Sequence, residues 1–89
     1  MNYLIVKQKV EDFETWYTIF KSHEEAQKEA GLSNAQIFKD HVDLQTVVCM
    51  FQVNDVEKAK AFTQAPDVDQ AQEESGMIGK PEILFLKEI

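Results

Sequence analysis

Two stretches of this chain, Val47-Val48-Cys49-Met50-Phe51 and Ile83-Leu84-Phe85-Leu86, are apolar at consecutive positions. A β-strand turns successive side chains to opposite faces, so a sheet built from these stretches is apolar on both sides. An open sheet with one wet face should instead alternate apolar and polar residues. Two apolar faces need two covers. At about 25 cal/mol per Å² of apolar surface, leaving several such side chains in water forfeits several kcal/mol, comparable with the whole stability margin of a small domain.

The remaining segments supply one cover. Residues 2 to 10, Asn-Tyr-Leu-Ile-Val-Lys-Gln-Lys-Val, are β-branched and aromatic and read as a first strand. Asp12 then offers an N-cap, and Phe13, Trp16, Phe20, His23 and Ala30 fall within an arc of about 100° on a helix. Glu14, Thr18, Lys21, Glu25 and Lys28 occupy the opposite side, and Gly31 stops the element, so the spacing predicts one helix over 12 to 30. Short strands are predicted over 35 to 40 and 45 to 53, joined as a hairpin by His41-Val42-Asp43-Leu44. Asp55 caps a second helical stretch carrying Val56, Ala59 and Phe62; Pro66 with Asp67 and Asp69 reads as a further helix start, which Gly76 ends. A last strand is predicted over 82 to 87.

The order strand, helix, strand, strand, helix pair, strand fits in 89 residues as one domain spanning 1 to 89. Two strand-helix-strand units with right-handed crossovers give an α+β, ferredoxin-like βαββαβ plan, with a four-stranded antiparallel sheet and its helices on one face. The helices leave the other apolar face bare. A second copy stacked sheet on sheet is the simplest cover, so the expected partner is a homodimer mate held through the open sheet face.

Charge narrows the partners further. Sixteen acidic residues oppose nine basic ones, all lysine, for a net charge of −7. That balance disfavours nucleic acid and anionic membrane surfaces. No apolar run approaches the roughly 20 residues of a membrane span. A single cysteine cannot form an internal disulfide, and Met1-Asn2-Tyr3 moves straight into the first strand with no charged leader, so a cytoplasmic location is expected.

Four segments together suggest a family: Val10-Glu-Asp12-Phe13-Glu-Thr-Trp16-Tyr-Thr-Ile-Phe20-Lys-Ser-His23, Ala30-Gly31-Leu32, Asn54-Asp55-Val56-Glu57-Lys58-Ala59 and Gly76-Met-Ile-Gly79-Lys-Pro81. With these, the chain resembles small proteins of the antibiotic-biosynthesis-monooxygenase-like group in the dimeric α/β-barrel superfamily. The resemblance implies a homodimer whose two sheets close into a barrel, with a ligand cavity in each subunit between sheet and helices. Members include cofactor-free oxygenases, haem-degrading enzymes and isomerases. Haem-degrading members use an asparagine on the first strand, a tryptophan on the third strand and a histidine on the later helix. Here the only tryptophan, Trp16, falls on the first helix and neither histidine on the later one. The haem-degrading set is therefore unmatched, and no cofactor is expected.

Among the residues that could carry chemistry, His23 stands out at the centre of the apolar helical face. An imidazole titrates near pH ~6.5 when unperturbed, which suits a general acid or base; the structural alternative is a half-buried histidine bonded to a backbone carbonyl. Phe13, Trp16, Tyr17 and Phe20 place four aromatics within eight residues, and they could line a pocket for a flat apolar ligand or simply pack the core. Tyr17 could donate its hydroxyl to a substrate oxygen. Phe38, Met50 and Phe62 are further candidates for pocket wall or packing.

Other residues read as structural. His41 with Asp40 and Asp43 is a solvated turn with no second histidine or cysteine at ligand spacing, so no metal site is expected. Cys49 is a small core residue, and Lys7 and Lys9 read as snorkelling surface lysines, the alternative being that either holds an anionic ligand in a dimer cavity. Several ferredoxin-like activities lack their residues: there is no basic aromatic third strand for RNA, no Cys-x-x-Cys pair, no arginine and no glycine-rich phosphate loop. Two readings follow. One is a cofactor-independent monooxygenase or isomerase acting on a small apolar metabolite, with His23 and Tyr17 catalytic and Trp16, Phe20, Phe38 and Met50 binding the ligand. The other is a non-catalytic dimer that binds a small ligand or serves in assembly.

Overall fold

The computed structural model describes residues 1–64 and 76–89. Its elements run in the order β1 (Asn2–Val10), α1 (Phe13–Ser22), α2 (Glu24–Glu29), β2 (Leu32–Lys39), β3 (Thr46–Val53), α3 (Val56–Thr63) and β4 (Met77–Lys87). The sheet order is β2-β3-β1-β4, and every neighbouring pair is antiparallel. This is the expected α+β, ferredoxin-like four-stranded antiparallel sheet. The helix start expected at Pro66 lies outside the described residues.

Alternation along the strands sorts the side chains into two faces. Leu4 on β1 pairs with Phe51 on β3 and Phe85 on β4, all turned toward the helices. Val10, Val47, Cys49 and Val53 continue that face and are buried with Trp16, Leu32 and Ala59. The aromatic expectation for α1 is met in part: Trp16 is buried, while Phe13, Tyr17 and Phe20 are half-buried against the same cluster. Trp16 and Phe20 stack at 5.0 Å between ring centroids, and Phe20 stacks on Phe51 at 5.9 Å, joining α1 to β3.

The first helix departs from expectation. Instead of one rod over 12 to 30, α1 and α2 meet at His23, whose backbone sits at φ −103°, ψ 12°. The His23 N–H donates to the Phe20 carbonyl three residues back, a tighter turn than the α-helical four. Just before it, the Ser22 hydroxyl donates to the Ile19 carbonyl, a local bond that competes with the helix. Asp12 caps α1 as expected, accepting from the Thr15 backbone N–H at 3.3 Å and from the Thr15 hydroxyl at 2.7 Å. Gly31 closes the segment at φ +82°, where a Cβ would come within 3.1 Å of the Asp55 nitrogen.

Both edge strands are longer than predicted because each carries an irregularity. β2 begins at Leu32 and passes a register shift between Ser33 and Gln36, where Asn34 takes φ +51° and donates to the Gln52 side-chain oxygen at 2.7 Å. β4 begins at Met77 and shifts register against β1 between Lys7 and Lys9. Pro81 lies in this irregular part of an edge strand, where a missing N–H is tolerated.

Candidate functional site

Between the sheet and the helices lies a half-open cavity of about 110 Å³. Leu4, Val6 and Gln8 of β1 and Ile83 of β4 form one side; Cys49 and Phe51 of β3 continue it. Trp16, Ile19 and Phe20 of α1 face them, Gln27 of α2 and Leu32 of β2 bound one end, and Phe62 and Thr63 close α3 over the other. The lining is mostly apolar, as expected for a site that takes an uncharged organic molecule. It is smaller than the roughly 150 Å³ cavity known to admit benzene, so its open side decides what more it can take.

His23 lines this cavity in phase with Trp16 and Phe20, at the junction of α1 and α2. The junction between α1 and α2 presents the imidazole alongside Phe20 and Gln27, and the side chain is half-buried. Among the described residues, nothing hydrogen-bonds either ring nitrogen.

The residues named from the sequence divide. Trp16, Phe20 and His23 meet around the cavity, and Phe62 joins them. Tyr17 does not: it stacks on Phe13 at 5.6 Å and borders an outer groove between α1 and β2, separated from the cavity by Phe20, Gln27, Leu32 and Phe51. One helical position of rotation separates it from Trp16, which is enough to turn it outward. Phe38 and Met50 are not brought there either. Phe38 pairs with Val48, and Met50 pairs with Ile5, so strand alternation puts both on the face away from the helices. Phe38 is 49% exposed there.

Two glutamines that composition alone assigns to solvent are in the lining. Gln8 is 8% exposed and Gln27 7%. Their signal is phase: Gln8 follows Leu4 and Val6 at the inward positions of β1, and Gln27 continues the Trp16, Phe20, His23 spacing. Cys49 is also in the wall, and burial pushes its thiol up to about 12, so it stands there as a neutral, small apolar group. Lys39 is drawn inward over the Phe13 ring, its ammonium 4.1 Å from the centroid.

No protein-family model matches the sequence, and no curated protein matches it. Solved structures match it throughout. A protein from Bordetella bronchiseptica, provisionally described as an antibiotic biosynthesis monooxygenase, superposes at TM-score 0.79 and 11% identity, over 99% of this chain and 96% of its own. SnoaB, a cofactor-independent oxygenase from Streptomyces nogalater, gives TM-score 0.73 at 8% identity, over 98% and 91%. The monooxygenase ActVA-Orf6 of Streptomyces coelicolor, solved with nanaomycin D, gives 0.68 at 18%, over 99% and 87%. The chain therefore has the ferredoxin-like fold of the antibiotic biosynthesis monooxygenase-like proteins.

Proposed function

We propose that the protein is a homodimeric, cofactor-independent monooxygenase or isomerase that acts on a small apolar metabolite, with His23 as its acid/base. The observation that carries this reading is an imidazole with no hydrogen-bond partner among the described residues, lining an apolar cavity between sheet and helices. A neutral imidazole nitrogen there accepts a proton from a ligand hydroxyl or from a carbon beside a carbonyl. The anion so formed is reprotonated at another carbon in an isomerisation, or gives an electron to dioxygen, the co-substrate, in an oxygenation. Trp16 and Phe20 supply flat walls for the ligand. Tyr17, outside the cavity, is assigned packing. The fold shared with SnoaB and ActVA-Orf6, named as a cofactor-independent oxygenase and a monooxygenase, supports the reaction class at the level of analogy.

The homodimer rests on the bare sheet face. Leu84, Leu86 and Ile78 of β4 and Phe38 of β2 are exposed there, beside Ile5, Val48 and Met50. That is a contiguous apolar patch of the kind that marks an interface.

The test is turnover of a panel of small phenols and enolisable ketones, read as substrate loss and oxygen uptake. His23→Ala should lower kcat/KM by roughly 10²-fold or more while folding and association stay unchanged. Undiminished turnover removes His23 from the chemistry, and wild-type binding of these compounds without turnover favours the non-catalytic ligand-binding dimer.

A further inference from the structure

Among the described residues, the cavity wall is apolar except at four side chains: His23, Thr63, Gln8 and Gln27. Thr63 spends its hydroxyl proton on the Lys60 carbonyl at 2.9 Å. The two primary amides are a different matter, since each offers a carbonyl acceptor and two N–H donors.

Gln8 occupies an inward position of β1 where its neighbours in phase, Leu4, Val6 and Val10, are all apolar. On the β3 side it pairs with Val47. On the β4 side the ladder steps from Lys7 opposite Glu82 to Lys9 opposite Ile78, so residues 79–81 pass Gln8 with no pairing, and Gly79 sits there at φ +74°. Irregular ladder steps of this kind re-aim side chains beside functional sites. Among the described residues the Gln8 amide has no hydrogen-bond partner. Gln8 as a whole residue is 8% exposed. Gln8 is among the residues that line the cavity.

Gln27 is held more firmly. Its Nε2 donates to the Phe20 carbonyl at 3.5 Å, which among the described residues leaves the Oε1 acceptor and one N–H unspent. That bond spans the α1–α2 junction that also presents His23. A buried amide with unspent capacity costs stability wherever an apolar side chain of similar volume would fit. Two of them in one small cavity, with an imidazole that has no partner among the described residues, give an otherwise apolar wall its polar groups.

We infer that Gln8 and Gln27 are the polar anchors of this cavity, and that it takes a small ring-bearing apolar molecule with a hydroxyl or carbonyl oxygen seated on their amides. The inference rests on the cavity being a ligand site. It adds which chemical group the site selects and which residues, besides His23, select it. A hydroxyl donates to an amide carbonyl and accepts from an amide N–H; a carbonyl uses the N–H alone. The glutamines thereby hold the ligand oxygen in the same cavity as the imidazole, the role expected of Tyr17 from the sequence.

The test uses the full chain, ¹⁵N-labelled and titrated by NMR with toluene, phenol and benzaldehyde, three probes of similar size. An apolar hole without anchors prefers toluene, because a buried unpaired hydroxyl is penalised. The wild type should instead bind phenol on the order of tenfold more tightly than toluene. Benzaldehyde should match phenol if the N–H groups alone anchor, and fall between phenol and toluene if the amide carbonyl is also used. Gln8→Leu should invert the order, with toluene affinity within about twofold of wild type. Gln8→Met, as long and as flexible as glutamine, does the same if the leucine variant folds poorly. Gln27→Leu should lower phenol affinity in the same direction. Preference for phenol that survives all three variants, or that vanishes only in His23→Ala, overturns the assignment. Toluene binding with no phenol preference in the wild type sinks the glutamine anchors and leaves the cavity a ligand site; binding of none of the probes removes the ligand site as well.

Discussion

The two faces of the sheet are made of the same residue types and have opposite surroundings. On the helix side Leu4 is 1% exposed; on the other, Leu84, one β4 position from Leu4's partner Phe85, is 44% exposed. A face that evolved to meet water would carry polar residues at those positions, as the outward residues of α1 do. The bare face carries Ile5, Val48, Met50, Leu84 and Leu86 instead, with Lys7, Gln52 and Glu82 among them. The difference between the faces is thus in what covers them within one chain. It also separates two jobs. The covered face holds the cavity, while the bare face holds no residue of the cavity wall.

The largest expected effect sits on this contrast. Leu4→Ala removes a fully buried side chain from the core and should cost about 2–5 kcal/mol, measured by urea unfolding, whatever the protein concentration. If a second copy covers the other face, Leu84→Ala should cost about 1–2 kcal/mol per protomer, with a Tm that falls on dilution. Leu84→Lys should convert the dimer to monomer in sedimentation velocity at micromolar concentration. A Leu84→Ala change within about 0.5 kcal/mol of wild type, in a protein that sediments as a monomer, breaks the comparison by showing the bare face to be wet.

Most of this contrast is legible in the sequence, because consecutive apolar residues in a strand state directly that both faces are apolar. What alternation does not state is which of the two faces the helices cover. Met50 and Phe38 illustrate the consequence: both are apolar, both are on predicted strands, and only the pairing of Phe38 with Val48 and of Met50 with Ile5 shows that they face away from the cavity. The helix break at His23 was hidden for a different reason. The apolar spacing runs unbroken from Phe13 to Ala30, and the interruption comes from local hydrogen bonds of Ser22 and His23, which periodicity does not record. Gln8 and Gln27 were hidden by their polarity, although both are in phase with apolar neighbours. A glutamine at an inward strand position is the sort of mismatch between local and global preference that accompanies a functional site.

A smaller effect separates adjacent residues of β3. Cys49 faces the core and its burial holds the thiol neutral far above the ordinary value of 9.0, at about 12. Between those two pH values the unfolded chain ionises this cysteine and the folded chain does not, so its contribution to stability is complete below pH 9.0 and is lost as the pH rises toward 12. Unfolding curves of the wild type should therefore lose ground to those of Cys49→Ala across that window. At pH 8, iodoacetamide should label native Cys49 far more slowly than the unfolded chain. In a Cys49→Ala background, a Met50→Cys thiol on the bare face should be labelled readily in a monomer and protected on association, so the pair of labelling rates reads the two faces separately. Equal labelling of Cys49 in native and unfolded protein would mean that the helix side is open as well.

The smallest effect concerns what holds α1 over the covered face. The Asp12 carboxylate accepts from the Thr15 hydroxyl and backbone, which lowers its pKa from the ordinary 3.8. A depressed folded-state pKa means that the cap's contribution is present above pH 3.8 and fades as the pH falls through the lower folded value. Asp12→Asn keeps an acceptor for Thr15 but has no proton to take up, so acid unfolding should begin at a lower pH than in the wild type while the Tm at pH 7 changes less than in Leu84→Ala. Near-ultraviolet circular dichroism of Trp16 is the sensitive probe, because this single tryptophan sits where α1 meets the sheet. Loss of its signal ahead of the sheet's far-ultraviolet signal in the wild type, and together with it in Asp12→Asn, identifies the capped helix as the covered face's weak edge; coincident loss in both proteins assigns the acid transition to the sheet itself.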